Sequence, residues 1–179
     1  MTEKLIRRAN KNDIAQILNL LLQGDMVHFK IRPDIFKPNT TKYNEQELSE
    51  MLNDDSKPIF VYDDGGVLGY LFCQITEIRN NSLMQDVKTL YIDDLCVDEN
   101  ARGKHIGKSL FDFVRNYAQS IGCHNITLNA WEGNDTALSF YRNMGQDHSH
   151  KAFQNGTFLQ AELELIHNHR KVQELYLRV

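Results

Sequence analysis

The chain has few of the residues that mark secreted, membrane or disulfide-stabilised proteins. Cysteine occurs only three times in 179 residues. The three positions, Cys73, Cys96 and Cys123, are widely spaced and odd in number, which argues against a disulfide framework. Two of them fall in apolar stretches of strand type, so buried, reduced thiols and a cytoplasmic location are expected. No apolar run reaches the roughly 20 residues of a membrane-spanning helix, and Met1 to Asn10 is too charged for a secretory leader. No membrane partner is therefore expected.

The chain also lacks an excess of positive charge. Its 20 Lys and Arg residues are outnumbered by 24 Asp and Glu residues, which gives a formal net charge of -4. A protein without an overall positive field is not expected to bind nucleic acid. The hydrophobic share of 41% and the charged share of 25% are typical of globular proteins. Without repeats or a linker, residues 1–179 are expected to form a single domain.

Hydrophobic periodicity predicts strands early in the chain and alternating strands and helices later. The expected helices are Asp13 to Gln23 with Gly24 as its stop, Asn44 to about Leu52 with a capping box at Glu47, 106–121 and 134–144. The expected strands are Leu5–Ile6, a hairpin of Pro58 to Tyr62 and Val67 to Ile78, then 89–97, 125–131 and 159–165, with 172–179 as a strand or a helix. This order predicts an α/β or α+β fold with a mixed sheet.

The stretch from Tyr91 to Leu110 carries the most information about function. A β-branched and aromatic strand ends at Val97, and a polar loop containing Arg102, Gly103, Lys104 and His105 leads into a helix. The first amides of a helix have no partner within it, and the helix dipole adds positive charge there. Together with the cations and with Gly107, this pattern predicts a phosphate-binding site.

Two common nucleotide motifs do not fit this loop. A P-loop ending in Gly107, Lys108 and Ser109 needs glycine at position 102, where the chain has Arg102. A dinucleotide fingerprint starting at Gly103 needs glycine at position 105, where the chain has His105. An ordinary basic loop between a strand and a helix remains the alternative on motif grounds.

The loop resembles the pyrophosphate loop of the GNAT superfamily of acetyl-CoA-dependent N-acetyltransferases. Asn100 stands where that family has Gln or Arg, Gly103 matches its glycine, and His105 stands where it has Gly or Ala. Histidine tolerates positive φ better than a β-branched residue does, so the loop need not be broken. A second block, residues 132–145, also matches the family, at Asn134, Ala137, Phe140, Tyr141 and Gly145. The resemblance implies a mixed, mostly antiparallel sheet of six to seven strands flanked by about four helices.

The resemblance also implies the cosubstrate and its contacts. Acetyl-CoA would bind with its pantetheine arm along the backbone of the strand before the loop, and with its pyrophosphate on the loop and helix start. The residues implied for the arm are Leu95, Cys96 and Val97, and those implied for the pyrophosphate are Arg102, Gly103, Lys104, His105, Ile106, Gly107 and Lys108. Asn134 would hydrogen-bond the arm, although residue type alone also favours an N-cap. Tyr141 would protonate the departing thiolate, the alternative being a tyrosine packed between helices.

Asp93 and Asp94 are adjacent acids in an otherwise apolar strand. Neighbouring strand residues face opposite sides unless a bulge intervenes, so one carboxylate is expected on the core side. A buried carboxylate has a raised pKa and can act as a base. The alternative is one partly exposed aspartate and one bonded to a neighbouring loop. The pair also resembles the acidic pair of diamine (spermidine/spermine) N-acetyltransferases, which implies a cationic amine.

The remaining histidines do not predict a metal site. His148 with His150, and His167 with His169, have a spacing that chelates on a strand, but neither pair has a third ligand, so no metal is expected. The sequence therefore predicts an N-acetyltransferase that moves acetyl from acetyl-CoA to the primary amine of a small molecule or peptide, with a homodimer possible. A non-catalytic CoA-binding module and, less favoured, a nucleotide-dependent phosphotransferase remain open.

Overall fold

The computed structural model describes residues 5–131, 133–146, 161–164 and 172–178. Its helices are α1 (Ile14–Ile31), α2 (Glu45–Met51), α3 (Ile106–Ser120) and α4 (Asp135–Gln146). Its strands are β1 (Ile6–Arg8), β2 (Ile59–Asp63), β3 (Val67–Ile78), β4 (Val87–Val97), β5 (Asn125–Trp131), β6 (Ala161–Glu164) and β7 (Val172–Arg178). Short 3-10 turns at Lys11–Asp13 and Glu99–Ala101 precede α1 and the turn into α3.

The chain divides into two compact units, each discontinuous in sequence. The first comprises Met1–Gln74 and Asp93–Val114, and the second comprises Ile75–Ile92 and Arg115–Val179. Strands β3 and β4 and helix α3 each contribute residues to both units. The expectation of a single domain stays a prediction.

The first unit is built on antiparallel strands covered by helices. β1 pairs with β2, and β2 pairs with β3, both antiparallel. The apolar residues of α1 (Ile14, Ile17, Leu20 and Leu21), Leu48 of α2 and the inner residues of β2 and β3, including Tyr70 and Phe72, form one buried cluster. Each large apolar side chain buried in this way contributes roughly 1.5–3 kcal/mol. This core fixes α1 against β3 and the second half of β4.

The second unit contains the parallel step of the sheet. Residues Thr89 to Ile92 of β4 pair in parallel with Asn125 to Leu128 of β5. β5 then pairs antiparallel with β7, and β7 pairs antiparallel with β6. A parallel pair needs a crossover connection. The segment that connects β4 to β5 contains α3 and provides this crossover.

Most of the predicted elements are confirmed, including the strand 125–131 and the capping box of α2 at Asn44 and Glu47. The mixed, mostly antiparallel α/β fold with four helices is confirmed as well. The predicted number of strands is met only in part. Side-chain burial is described for five strands, β1 to β5. The predicted six to seven strands are reached only when β6 and β7, described by their backbone alone, are counted as well.

The predicted helix stop at Gly24 is wrong, because α1 continues to Ile31. Gly24 does not adopt the left-handed conformation that ends helices. It is an interior position of α1 where a Cβ would lie 3.6 Å from Tyr70 Oη and 3.8 Å from Cys96 Sγ, which are ordinary van der Waals distances. Helix α1 is therefore about two turns longer than predicted, and the additional turns contain Asp25 and His28.

Gly69 of β3 lies where the backbones of β3 and β4 come close together. A Cβ at this position would lie 3.0 Å from Cys96 O on β4 and 3.2 Å from side-chain atoms of Ile106 and Leu110 on α3. The absent side chain therefore lets the first turn of α3 rest directly on β3 and β4.

The two glycines predict alanine variants of opposite sign. Gly69→Ala should destabilise the protein by about 1–3 kcal/mol, because the first turn of α3 must move away from the sheet. Gly24→Ala should be neutral or stabilise it by up to about 1 kcal/mol, because the added methyl group has room and alanine favours helix. Urea unfolding of both variants measures the difference. Equal effects would show that Gly69 is not needed for close packing.

Candidate active site

The turn from β4 into α3 has an open, left-handed backbone. Gly103 has φ of 80° and His105 has φ of 60°. Arg102, Gly103, Lys104 and His105 are all exposed, whereas Ile106 is buried and anchors the helix start. Left-handed residues before a helix turn successive amide groups to one side. The expectation that histidine can adopt positive φ here is confirmed.

Hydrogen bonds from α1 and β3 hold the beginning of this turn. Gln23 Nε2 donates to Asp98 Oδ2 at 3.1 Å, and Glu99 N donates to Gln23 Oε1 at 3.1 Å. Asp98 N donates to Leu68 O at 2.9 Å, and Asp98 Oδ1 accepts from Asn100 N at 2.8 Å. Gln23 is a supporting residue that sequence reasoning missed, because its partner lies 75 positions away.

The charges of the turn suit a polyanion. Arg102 and Lys104 are exposed. In the first turn of α3, Lys108 Nζ lies 3.2 Å from Oδ2 of Asp112, one helical turn later. Ser109 N and Ser109 Oγ both donate to His105 O, which fixes His105 as the residue that opens α3. The cations and the helix-start amides together can hold a phosphate or pyrophosphate group.

Cys96 lies at the end of β4 between two half-buried residues, Leu95 and Val97. Its side chain is buried and its Sγ donates to Leu20 O of α1 at 3.4 Å. Burial, with a smaller contribution from the charge of Asp94, raises the pKa of the Cys96 thiol to about 12. A thiol that stays protonated is a poor nucleophile, so Cys96 is a packing residue whose backbone alone is available for function.

Asp94 bonds to a buried phenol of the neighbouring strand. Tyr70 Oη donates to Asp94 Oδ2 at 2.8 Å. Burial raises the pKa of Asp94, and the hydrogen bond from Tyr70 and the positive charges of Lys42 and His28 only partly oppose it. Burial and the charge of Asp94 raise the pKa of Tyr70 well above its usual value. Asp94 is therefore a carboxylate that binds a proton more readily than a solvated one.

Asp93, unlike Asp94, is paired with a cation. Lys42 Nζ lies 2.7 Å from Asp93 Oδ2, and Tyr43 Oη donates to the same oxygen at 2.8 Å. Burial lowers the pKa of Lys42, but the hydrogen bond and the charge of Asp93 outweigh it, and the net result is a raised pKa. Burial and the charge of Asp93 raise the pKa of Tyr43 to about 12. Lys42 is thus held as an ammonium ion.

The contacts of the two neighbouring aspartates come together around one aromatic ring. Tyr43 stacks on the Phe72 ring with centroids 5.6 Å apart, and Tyr70 meets the same ring edge-on at 4.9 Å. The phenols that bind the two carboxylates therefore share one aromatic neighbour. The expectation that the two carboxylates face opposite sides stays a prediction, and side chains from elsewhere in the unit reach both acids.

A third carboxylate comes from the part of α1 that lies beyond Gly24. Asp25 Oδ2 accepts from the backbone N of Lys42 at 2.7 Å, and Asp25 Oδ1 lies 3.8 Å from His28 Nδ1. We call Asp25, Asp93 and Asp94 the carboxylate cluster. Lys42 is its permanent cation and His28 adds charge only when protonated, so the three acids can outnumber the cations. Sequence reasoning missed one member of the cluster, Asp25, and the surrounding residues His28, Lys42, Tyr43 and Tyr70, since only tertiary contacts assemble them.

The predicted residues Asn134 and Tyr141 belong to the second unit, at and within α4. Asn134 Oδ1 accepts from Ala137 N at 3.2 Å, so Asn134 caps the helix as residue type suggested. A ligand contact from this side chain would then fall to its amide nitrogen. Tyr141 is buried, and its ring lies 5.1 Å from that of Phe140. Its role as a proton donor stays a prediction.

Other expectations concern parts of the chain that are only partly described. The histidines at 148, 150, 167 and 169 lie outside the described residues. Within residues 5–131, 133–146 and the two C-terminal strands, no group of three or more His, Cys, Asp or Glu side chains could hold a metal ion. Among the same residues, no helix has the length and apolarity needed to span a bilayer.

Comparison with known proteins agrees with this geometry. The model of the acetyltransferase (GNAT) family matches residues 25–146. A relative from Lactobacillus delbrueckii subsp. lactis, described as an uncharacterized N-acetyltransferase in the pepI 3′ region, is 28% identical over 103 residues. That match covers 57% of this chain, and it spans only 58% of the relative's length.

Solved structures share the fold. A tetramutant of protein BH1408 from Bacillus halodurans superposes with a TM-score of 0.74 and 27% identity, covering 85% of this chain and 99% of that one. An aminoglycoside acetyltransferase, meta-AAC0020 from an uncultured soil metagenomic sample, solved with sisomicin, shares the fold at a TM-score of 0.62 and 21% identity, covering 89% of this chain and 100% of that one. The family match extends over most of the chain and includes the turn, β4 and α4. This chain therefore belongs to the acetyltransferase (GNAT) family.

Proposed function

We propose that the protein transfers an acetyl group from acetyl-CoA to a primary amine that is cationic in solution. The observation that carries the donor is the turn at residues 102–108, where left-handed Gly103 and His105 precede the amides of α3. The exposed cations Arg102 and Lys104 fit a pyrophosphate at that point. The observation that supports the acceptor is the carboxylate cluster, which lies in the same unit as the turn.

The proposed reaction is a direct transfer in a ternary complex. The amine arrives as an ammonium ion and loses one proton to become nucleophilic. Its nitrogen bonds to the acetyl carbon while the bond from that carbon to sulfur breaks, and the nitrogen then loses a second proton. The departing thiolate takes up one proton, so one proton is released overall. The products are an N-acetyl amide and the free thiol of CoA.

Asp94 is our candidate for the group that accepts the first proton. Its raised pKa makes it a better base at the moment of transfer than a fully solvated aspartate. Tyr70 orients it by donating to one carboxylate oxygen, which leaves the other oxygen for the ammonium. Asp93 is assigned a different role, because its salt bridge to Lys42 makes it a fixed countercharge.

Direct attack is favoured over an acetyl-cysteine intermediate. Cys73, Cys96 and Cys123 are all buried, and burial raises the pKa of Cys96 to about 12 and also raises that of Cys123. A covalent route would need an accessible thiolate. Tyr141 is assigned the protonation of the leaving thiolate by its match to the family motif.

The proposal is tested by two measurements on the unmodified protein. A thiol-release screen of acetyl-CoA against polyamines, amino acids, aminoglycosides and peptide N-termini should give turnover with cationic amines. Calorimetry should show that CoA binds and that its affinity falls as salt rises, because fixed cations contribute. Tight binding of magnesium ATP without CoA binding would refute the acetyltransferase assignment. CoA binding without turnover on any amine would indicate a non-catalytic module.

Substitution of Asp94 should separate activity from stability. As a base, Asp94 works only when ionised, so activity should rise with pH through its raised pKa, and Asp94→Asn should abolish that rise and lower kcat by roughly 10²-fold. The folded-state pKa lies above the unfolded value, so ionised Asp94 weakens folding once the pH exceeds that pKa. Asp94→Asn should therefore leave Tm at neutral pH unchanged or higher, since asparagine still accepts from Tyr70.

The pH profile of kcat/KM and a thermal melt of Asp94→Asn check this prediction, with Asp93→Asn as the matched control. Asp93→Asn should keep the pH profile, because the proposed base remains. An acidic limb that persists in Asp94→Asn, together with undiminished turnover, would remove Asp94 from the reaction.

Tyr141→Phe should lower kcat by roughly 10²-fold with little change in the affinity for acetyl-CoA, as expected for a lost proton donor. Tyr117→Phe, which changes a half-buried tyrosine of α3 in the same unit, is the control and should leave kcat unchanged. Unchanged turnover in Tyr141→Phe would assign Tyr141 to packing.

A further inference from the structure

Lys42 is bound to the carboxylate cluster at both ends. Its backbone N donates to Asp25 Oδ2 at 2.7 Å, and its Nζ reaches Asp93 Oδ2 at 2.7 Å. The Nζ also lies 5.4 Å from the centre of the Tyr43 ring, within reach of a cation–π contact. The backbone bond positions the residue, and the side chain adds a primary ammonium group to the cluster.

The side chain of Lys42 is partly exposed to solvent. It is 39% exposed, compared with 21% for its partner Asp93. The preceding residues Pro38, Asn39 and Thr40 are exposed too. A partly exposed ion pair contributes little to stability, so the ammonium can leave Asp93 for water at low cost. Asp93 and its bonded phenol, Tyr43, would stay behind.

A lysine ammonium is chemically the same group as one end of an aliphatic diamine. Asp93 and Tyr43 supply a carboxylate and an aromatic face, which are the groups that recognise an alkylammonium ion. Asp94 follows Asp93 in the chain, and the positive charge of Lys42 lowers its pKa in part. A diamine could place one amine at Asp94 for reaction and its other ammonium at Asp93, but only after Lys42 has moved away.

We propose that Lys42 determines acceptor specificity by occupying, as an internal ammonium, the subsite for the second cationic group of a diamine. This inference rests on the proposed function and names its substrate class. Exchange of Lys42 for the distal ammonium leaves the charge of the cluster unchanged. A monoamine leaves Lys42 in place, and an acceptor with a carboxylate tail meets Asp93 as a like charge if Lys42 is displaced.

Three acceptors of equal length test the inference: a four-carbon diamine, the four-carbon amino alcohol and the four-carbon amino acid. Their distal groups are positive, neutral and negative at neutral pH. Lys42→Met should lower Kd and KM for the diamine by about fivefold, the size of one partly exposed ion pair, because the competing ammonium is gone. The amino alcohol should change by less than about twofold. Lys42→Arg, which keeps the charge, should not gain affinity for the diamine.

Lys37→Met is the matched control, since Lys37 is an exposed lysine of the same segment and undergoes the same chemical change. It should leave all three acceptors unaffected. Lys42→Gln repeats the test with a polar replacement, and thermal melts establish that each variant is folded.

Several results would overturn the inference. If Lys42→Met weakens binding of the amino acid and leaves the diamine unchanged, Lys42 binds an anionic substrate group. Equal affinities of wild type, Lys42→Met and Lys42→Gln for all three acceptors would show that Lys42 has no part in selection. Binding is measured by calorimetry with CoA present and no acetyl donor, so it does not depend on turnover. If wild type and variants show the expected differences in binding but wild type has no turnover, the proposed reaction is contradicted and the role of Lys42 in specificity is supported.

Discussion

The chain must turn from β4 into α3 within a few residues while the first helical turn rests on the sheet, and this constraint shapes the rest of the first unit. Gly69 lacks a side chain where Ile106 and Leu110 approach, so the helix can start close to β4. Gly103 and His105 then adopt left-handed backbone conformations directly before the helix start, whose first amides have no partner within the helix. The same geometry that packs α3 thus supplies the groups that the proposed anion site uses.

The carboxylate cluster sets the proposed function against stability. Asp94 is held beside Tyr70 at the edge of the apolar core, where its charged form is disfavoured. The unit tolerates it because Lys42, and His28 when protonated, bring positive charge nearby and because the phenol of Tyr70 donates a hydrogen bond to it. A solvated aspartate would be less costly, but it would also be a weaker base.

Local patterns predicted the elements well, whereas tertiary contacts decided the site. Residues 125–131 read as a strand because β-branched and apolar residues alternate there, and they form β5. His105 was recognised as compatible with the loop from its tolerance of positive φ. The predicted stop at Gly24 is wrong because a glycine in sequence does not distinguish a helix end from an interior helical position. Lys42 and Tyr43 lie about 50 positions from Asp93, so no local signal joined them to it.

The central claim is that the turn between β4 and α3 binds the pyrophosphate of CoA, and backbone amide NMR tests it most directly. Titration with CoA should shift the amides of residues 103–108 most strongly. Titration with pantetheine, which lacks the pyrophosphate, should leave these amides nearly unchanged. If CoA and pantetheine shift the same amides equally, or if the largest CoA-induced shifts lie outside this turn, the claim is contradicted.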